Sequence, residues 1–210
     1  MIEIVYEDNH LLVAVKPKGV LSQADGSNKE DMLTLLKAYL KEKYQKPGNV
    51  YLGLVHRLDL FTSGIMVFAK TSKAASRLTA QIQNHQFEKK YLAIVEGNLQ
   101  EEGLLKHTLS KNEAEKKSYF DPQGQEAILE YKVVEHREDR TLVDITLKTG
   151  RFHQIRSQFS LIGHPLYGDK KYGGKQTISY ENFPLEAYSL SFYHPVTQKL
   201  MKFEHKTLHL

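Results

Sequence analysis

Apolar positions recur along this chain in two rhythms, every second residue and every third or fourth, and these lay out its elements. Alternation over Ile2–Tyr6 and a denser apolar run over His10–Lys16 predict an N-terminal hairpin turning at Asp8-Asn9 and broken by Lys16-Pro17-Lys18-Gly19. Residues 20–30, starting near Ser22-Gln23, are polar and read as a loop. The stripe Met32, Leu35, Leu36, Tyr39 and Leu40 predicts a helix over Asp31–Lys46, capped by Asn28 or Asp31 and ended by Pro47-Gly48. Small residues Thr62-Ser63-Gly64 then lead into a buried strand, Ile65–Ala69. A second helix starts at Thr71-Ser72 and runs to about Asn84, with Ala74, Ala75, Leu78 and Ile82 inward.

Phe87–Gly97 is a strand with Tyr91, Ala93 and Val95 on one face and Leu92 and Ile94 on the other. Residues 103–121 are the least hydrophobic part, and Lys111–Lys117 reads as a mobile charged excursion. Ala127–Glu135 and Thr141–Lys148 pair as a hairpin. A third helix is expected over Phe152–Ile162, with Phe152, Ile155, Phe159 and Ile162 in the core and His153, Arg156 and Ser160 on another face. Residues 167–176 form a Gly- and Lys-rich loop, and two last strands fall near Ala187–Tyr193 and Lys199–His205. Many strands, several joined as hairpins, with three interspersed helices imply an α+β (mixed α/β) fold with a largely antiparallel central sheet flanked by helices. No repeat, low-complexity tract or linker divides the chain, so one domain over 1–210 is expected.

Composition narrows the classes. A chain of 210 residues with 40% apolar content has ample core. It has no cysteine, which excludes disulfides, thiolate metal sites and thiol catalysis. The acidic N-terminus lacks a signal-peptide pattern and no apolar run approaches membrane-spanning length, so a cytoplasmic protein with no membrane partner is expected. A net charge of +4 is compatible with a nucleic-acid partner. Lys37, Lys41, Lys43 and Lys46 lie mostly on the exposed face of the first helix, as a solvated face or an RNA-facing patch.

The densest polar chemistry is His56-Arg57-Leu58-Asp59, a loop beside the Ile65–Ala69 strand. It is not a protein-kinase catalytic loop, because Gly64 stands five residues after Asp59 where a metal-binding Asn is needed. Gly64…Ala69-Lys70-Thr71 is not a phosphate loop, because Ala69 replaces the second glycine. Ser63 with His56 and Asp59 lacks the nucleophile elbow of a hydrolase. His205 and His209 have helical metal-ligand spacing but no third ligand, so no metal is expected.

His56-Arg57-Leu58-Asp59-x-x-Thr62-Ser63-Gly64, followed by a strand ending Ala69-Lys70, resembles the signature of the RluA-type pseudouridine synthases. Lys16-Pro17-x-Gly19 resembles that family's N-terminal motif, and Lys89-Lys90-Tyr91-Leu92-Ala93 its tyrosine strand. Thr149-Gly150-Arg151-Phe152-His153-Gln154-Ile155-Arg156, then Gly163-His164-Pro165 and Gly168-Asp169-x-x-Tyr172-Gly173, resembles its third motif. The resemblance covers essentially the whole chain. It implies a pseudouridine-synthase-like catalytic domain, without the small N-terminal RNA-binding domain many members carry, that isomerises uridine to pseudouridine in rRNA or tRNA without cofactor or metal.

By the same resemblance Asp59 is the catalytic carboxylate, acting by addition at carbon 6, by capture of the anomeric carbon, or through a glycal. Arg156 is its basic partner, and Tyr91 packs on uracil and helps remove the carbon 5 proton. Arg57 helps open the RNA and fill the place of the flipped base. His56 and Thr62 are expected at the substrate. Lys16, Lys18, Lys170, Lys171 and Lys175 are candidates for phosphates, with Tyr172 available to stack. A stem-loop of rRNA or tRNA is the expected partner, bound by a monomer. Two departures from the family pattern, Leu60-Phe61 and Ser157-Gln158, bear on which RNA is recognised. The competing classes are a catalytically silent RNA-binding protein on the same fold and a glycosidase or nucleosidase. The latter usually needs a second carboxylate, and none appears in these motifs.

Overall fold

The structure, a computed structural model, describes residues 2–210. In chain order its elements are β1 (Glu3–Glu7), β2 (Leu11–Lys16), α1 (Met32–Lys43), β3 (Gly53–Leu54), β4 (Ser63–Ala69), α2 (Ser72–Gln83) and β5 (Glu88–Glu96). Then follow β6 (Glu102–Asn112), β7 (Lys117–Phe120), β8 (Gln125–Arg137), β9 (Arg140–Leu147), α3 (Gln154–Leu161), β10 (Leu185–Tyr193) and β11 (Leu200–Glu204). This is the α+β, largely antiparallel architecture that the alternating and helical periodicities predict. The chain divides into two compact units: the chain up to Glu88 with Ala187–Lys206, and Lys89–Glu186 with Thr207–Leu210.

In the first unit the strand order is β1-β2-β4-β10, with β11 beside β10 and β3 beside the end of β4. β2 and β4 are antiparallel, Leu11 opposite Ala69 and Lys16 opposite Gly64. Alternate residues Leu11, Val13, Ile65, Val67 and Ala69 point to one face. There they form a buried cluster with Ala74 and Leu78 of α2, Phe87, Leu190 and Phe192. Thr71 caps α2 through a bond from the Ala74 N–H (3.1 Å). Asp31 caps α1, accepting from Thr34 N (3.0 Å), so the predicted first residue is the cap and not a helical residue. The helix stops at Lys43, short of Lys46, because Gln45 takes a left-handed φ of 48°.

Glu7 at the end of β1 is a hub for α1. It accepts from Tyr39 (3.0 Å), Lys43 (2.8 Å) and Tyr44 (2.6 Å), and from Lys70 (2.8 Å). Burial alone would raise its carboxyl, but these donors outweigh that and hold its pKa at about 2. Lys43 is therefore tied to the fold and is not a purely solvated lysine.

In the second unit the order is β5-β9-β8-β6-β7. Within residues 103–121, the least hydrophobic part of the chain, β6 and β7 form a regular hairpin with Leu109 opposite Phe120 and Asn112 opposite Lys117. The apolar alternation is hidden there because its inward row, Leu105, His107, Leu109, is interrupted by a histidine whose Nδ1 faces the Gln158 amide (3.1 Å). The charged excursion is only the turn of this hairpin, closed with Lys116 at φ 48°.

α3 begins at Gln154, not Phe152, because His153 takes a left-handed φ of 48° as its N-cap. Phe152 stacks on the His153 ring (centroids 3.9 Å apart, 22°) and is only half-buried, as is Ile162, so neither joins the core with Ile155 and Phe159. Gln154 and Gln158 are buried instead. Their amides donate to Ile128 O (3.1 Å), Leu105 O (3.1 Å) and Ala127 O (3.0 Å), stitching the helix to the strands.

Candidate active site

Asp59 stands in the loop between β3 and β4, and on both sides of the carboxylate that loop is bonded through its main chain. The buried Ser22 hydroxyl donates to Leu58 O (2.9 Å) and accepts from Leu58 N (3.0 Å). The Leu60 carbonyl takes two donors, Gly19 N (2.9 Å) and Lys16 Nζ (3.1 Å). The Thr62 N–H closes the turn onto Asp59 O (3.1 Å). Gly19 adopts φ 84°, which suits glycine, so Lys16-Pro17-x-Gly19 turns back under the loop that carries Asp59. Gly64 is required for another reason. A Cβ there would lie 2.2 Å from the Ala187 carbonyl oxygen, at φ 130°.

Lys16 is fully buried and also bonds Pro17 O (3.0 Å). Burial pushes its ammonium down to about 7, while the negative charge of Asp59 pulls it up. The sequence reading that puts Lys16 on an RNA phosphate is corrected accordingly. The side chain is enclosed and supports the loop from beneath.

His56, expected at the substrate, is half-buried. Its Nε2 accepts from Val67 N (3.1 Å) and its ring packs on Phe87 (5.5 Å), so it fixes the start of the loop to β4. Thr62 is 2% exposed. Arg57 is exposed and makes no ion pair among the described residues.

The second unit holds Tyr91, Arg156, Lys171 and Tyr172. Tyr91 is a buried residue of β5 opposite Ile145. Arg156 is held as a fork. Its Nε donates to Asp169 Oδ2 (2.6 Å), Nη2 to Asp169 Oδ1 (2.8 Å), and Nη1 to His153 Nε2 (3.1 Å). A guanidinium only donates, so His153 Nε2 carries a lone pair and Nδ1 bears the hydrogen that goes to the Tyr172 hydroxyl (2.9 Å). Burial, then the charges of Arg156, Lys171 and Lys111, push the His153 pKa down to about 3.

Tyr172 is expected to stack on bases but is buried. Its hydroxyl also accepts from Ser118 N (2.7 Å), and the Arg156 guanidinium lies 4.9 Å from its ring centre. It is a wall for Arg156. Lys171 is exposed at the surface, its Nζ on Lys116 O (2.9 Å), and with Lys111 and Lys117 it surrounds the Phe152–His153–Tyr172 aromatic group.

Three supports escape sequence reasoning: Ser22, Asp169 as the partner of Arg156, and His153 as a neutral acceptor. Asp169 was in view within Gly168-Asp169-x-x-Tyr172-Gly173, and a buried arginine needing a carboxylate is the signal that singles it out.

These elements define the fold of a pseudouridylate synthase domain. Two human structures, RNA pseudouridylate synthase domain containing 4 and domain containing 1, match with TM-scores of 0.79 and 0.74 at 22% and 24% identity. The matches cover 97% and 99% of this chain and 88% and 84% of theirs. The sequence profile described as RNA pseudouridylate synthase matches residues 10–161.

Ribosomal large subunit pseudouridine synthase D of Zymomonas mobilis is 34% identical over 97% of this chain and 68% of its own length. The protein of that name from Pseudomonas aeruginosa is 36% identical over 97% and 67%. The uncharacterized RNA pseudouridine synthase YlyB of Bacillus subtilis is 35% identical over 97% and 68%. This chain belongs to the RNA pseudouridylate synthase family, in its RluA-type branch. It spans about two thirds of the length of these curated relatives. Among the described residues no helix is long and apolar enough to cross a membrane.

Proposed function

We propose that this RNA pseudouridine synthase isomerises a uridine of large-subunit ribosomal RNA in the cytoplasm, with Asp59 as its catalytic carboxylate. The observation that carries the reading is the Asp59 loop, whose backbone is bonded on both sides of the carboxylate to Ser22, Gly19 and Lys16. Such fixation pre-orients a reacting group before substrate arrives. The names of the relatives from Zymomonas mobilis and Pseudomonas aeruginosa favour ribosomal RNA as the substrate class.

The reaction breaks the N1–C1′ bond, turns the uracil, forms C5–C1′, and moves the C5 proton away so that N1 ends protonated. Asp59 attacks or deprotonates at the nucleoside. Tyr91 flanks the uracil and helps pass the C5 proton to solvent, its hydroxyl giving up one proton as it takes the other, while N1 takes up a proton from solvent. Arg156, oriented by Asp169 and His153, supplies fixed positive charge to the carboxylate chemistry. Arg57, exposed on the same loop as Asp59, takes the space of the flipped base, and Lys111, Lys117 and Lys171 meet phosphates.

The test uses purified protein with in-vitro transcripts of large-subunit ribosomal RNA and of bulk tRNA, and carbodiimide-stop mapping of pseudouridine. Wild type should modify the ribosomal transcript. Asp59→Asn should abolish conversion while RNA affinity stays within about twofold, since uniform binding is untouched. Modification confined to tRNA would overturn the substrate class. Undiminished conversion by Asp59→Asn would remove Asp59 from the chemistry.

A further inference from the structure

Lys89 is a charged group that no group among the described residues answers. It is the second residue of β5 and alternates onto the face of Tyr91, two residues on. Its cross-strand partner is Leu147, whose own partner on the next strand is Leu129, and both leucines are buried. The lysine stem therefore lies along an apolar row. Its ammonium ends against bare backbone, so close to Gly150 that a Cβ there would sit 3.2 Å from Nζ. Burial pushes the Lys89 pKa down. Among the described residues the ammonium makes no ion pair and no hydrogen bond.

Three other enclosed cations of this chain are answered. Lys16 has two carbonyls and the charge of Asp59, Lys70 has Glu7, and Arg156 has Asp169. A half-buried cation without a counter-ion costs free energy that the free protein does not recover. The position of such a group, beside the glycine of Thr149-Gly150-Arg151 and on the strand face of Tyr91, calls for an anion brought by the substrate.

We propose that Lys89 is a phosphate-binding residue that holds the RNA backbone at the nucleotide being isomerised. This rests on the reading that Tyr91 flanks the target uracil. Successive residues of one strand face are about 6–7 Å apart along the strand. The base and a phosphate of one nucleotide can thus be met by Tyr91 and Lys89 together. Gly150 fits this use, because a side chain there would occupy the space beside the ammonium where a phosphate oxygen must enter.

The test compares wild type, Lys89→Met and Lys89→Arg in three readouts. These are binding of a short uridine-containing single-stranded RNA from about 50 to 200 mM salt, conversion of the ribosomal transcript, and the melting temperature without RNA. Lys89→Met should bind about tenfold more weakly at the low-salt end. Its slope of log affinity against log salt should shrink by about 0.7, one phosphate contact on a single strand. Its melting temperature should equal or exceed that of wild type, since an unanswered cation is removed. Lys89→Arg should regain most of the affinity and the slope.

An unchanged salt slope in Lys89→Met overturns the inference, and with wild-type conversion intact it leaves the assigned reaction standing. A melting temperature lowered by several degrees and not rescued by Lys89→Arg also overturns it, making Lys89 a structural strut. A Lys89-dependent slope in a protein that converts no uridine supports the phosphate site and overturns the isomerase reading. Failure of wild type to bind the RNA at all overturns both.

Discussion

The Asp59 loop and the Arg156 fork are fixed by opposite means. The loop is held through main-chain groups: the carbonyls of Leu58 and Leu60 and the N–H of Leu58 take the bonds from Ser22, Gly19 and Lys16. The fork is held through side chains: Asp169, His153 and the Tyr172 ring surround the guanidinium. A carbonyl is the same whatever residue bears it, so the loop tolerates unusual side chains next to Asp59. The departure at Leu60-Phe61 therefore leaves the carboxylate's support intact. The fork has no such freedom, and each of its partners must keep its chemistry. The departure at Ser157-Gln158 falls outside the fork, because Gln158 is spent on the carbonyls of Leu105 and Ala127.

The largest expected effect lies on the side-chain-held half. Asp169→Ala leaves the buried Arg156 charge without its bidentate partner and should cost about 3–5 kcal/mol, read by urea unfolding. Replacing both, Arg156→Met with Asp169→Leu, should recover most of that stability, because the apolar pair carries no uncompensated charge. Activity should stay absent in the double variant. A loss below about 1 kcal/mol for Asp169→Ala would show that the fork is not held by side chains after all.

The main-chain-held half should respond more weakly. Ser22→Ala strands both the N–H and the carbonyl of Leu58 in a buried place and should cost about 1–3 kcal/mol. Turnover should fall further than RNA affinity does, as the Asp59 loop loses its anchor. Leu60→Ala keeps the carbonyl that Lys16 and Gly19 use, and its effect on turnover should be small. If Leu60→Ala damages turnover as much as Ser22→Ala, the loop depends on side-chain packing and the contrast between the two halves disappears.

The same contrast explains what was legible in the sequence. Periodicity reveals β2, β4, α1 and α2 because their inward rows are uniformly apolar, as in Leu11, Val13, Ile65 and Val67. It fails for β6 and for the start of α3, where His107, Gln154 and Gln158 occupy inward positions as bonded polar groups. Motif spacing brings Asp59, Tyr91 and Arg156 into view as residues. It says nothing of what holds them, because a bond to the Leu60 carbonyl leaves no mark on residue 60. The lysines were the least legible. Lys16 and Lys43 read as surface cations, and one is enclosed beneath a loop while the other is tied to Glu7. Burial of a long side chain depends on which strand faces it, and composition carries no trace of that.

A last effect separates the two units by pH. Glu7 in the first has its carboxyl held at about 2, below its ordinary 4.5. Its stabilisation is complete above about 4.5 and is lost as pH falls from there through about 2. His153 in the second is a base held at about 3, below its ordinary 6.5. Here the unfolded chain takes up the proton first, so stability declines from about pH 6.5 down to about 3 and then levels. At pH 5 the histidine has already drawn up to about 2 kcal/mol while Glu7 has drawn almost nothing, at about 1.4 kcal/mol per pKa unit. Melting curves between pH 7 and 3 should therefore flatten above about pH 4.5 in His153→Asn, with His107, also lowered by burial, leaving part of that slope. In Glu7→Gln they should lose only the lower slope. Asparagine tolerates the left-handed backbone of residue 153, so the variant tests the charge and not the turn. An unaltered upper slope in His153→Asn would mean that the imidazole is free to protonate in the folded protein. Arg156 would then not be using its lone pair.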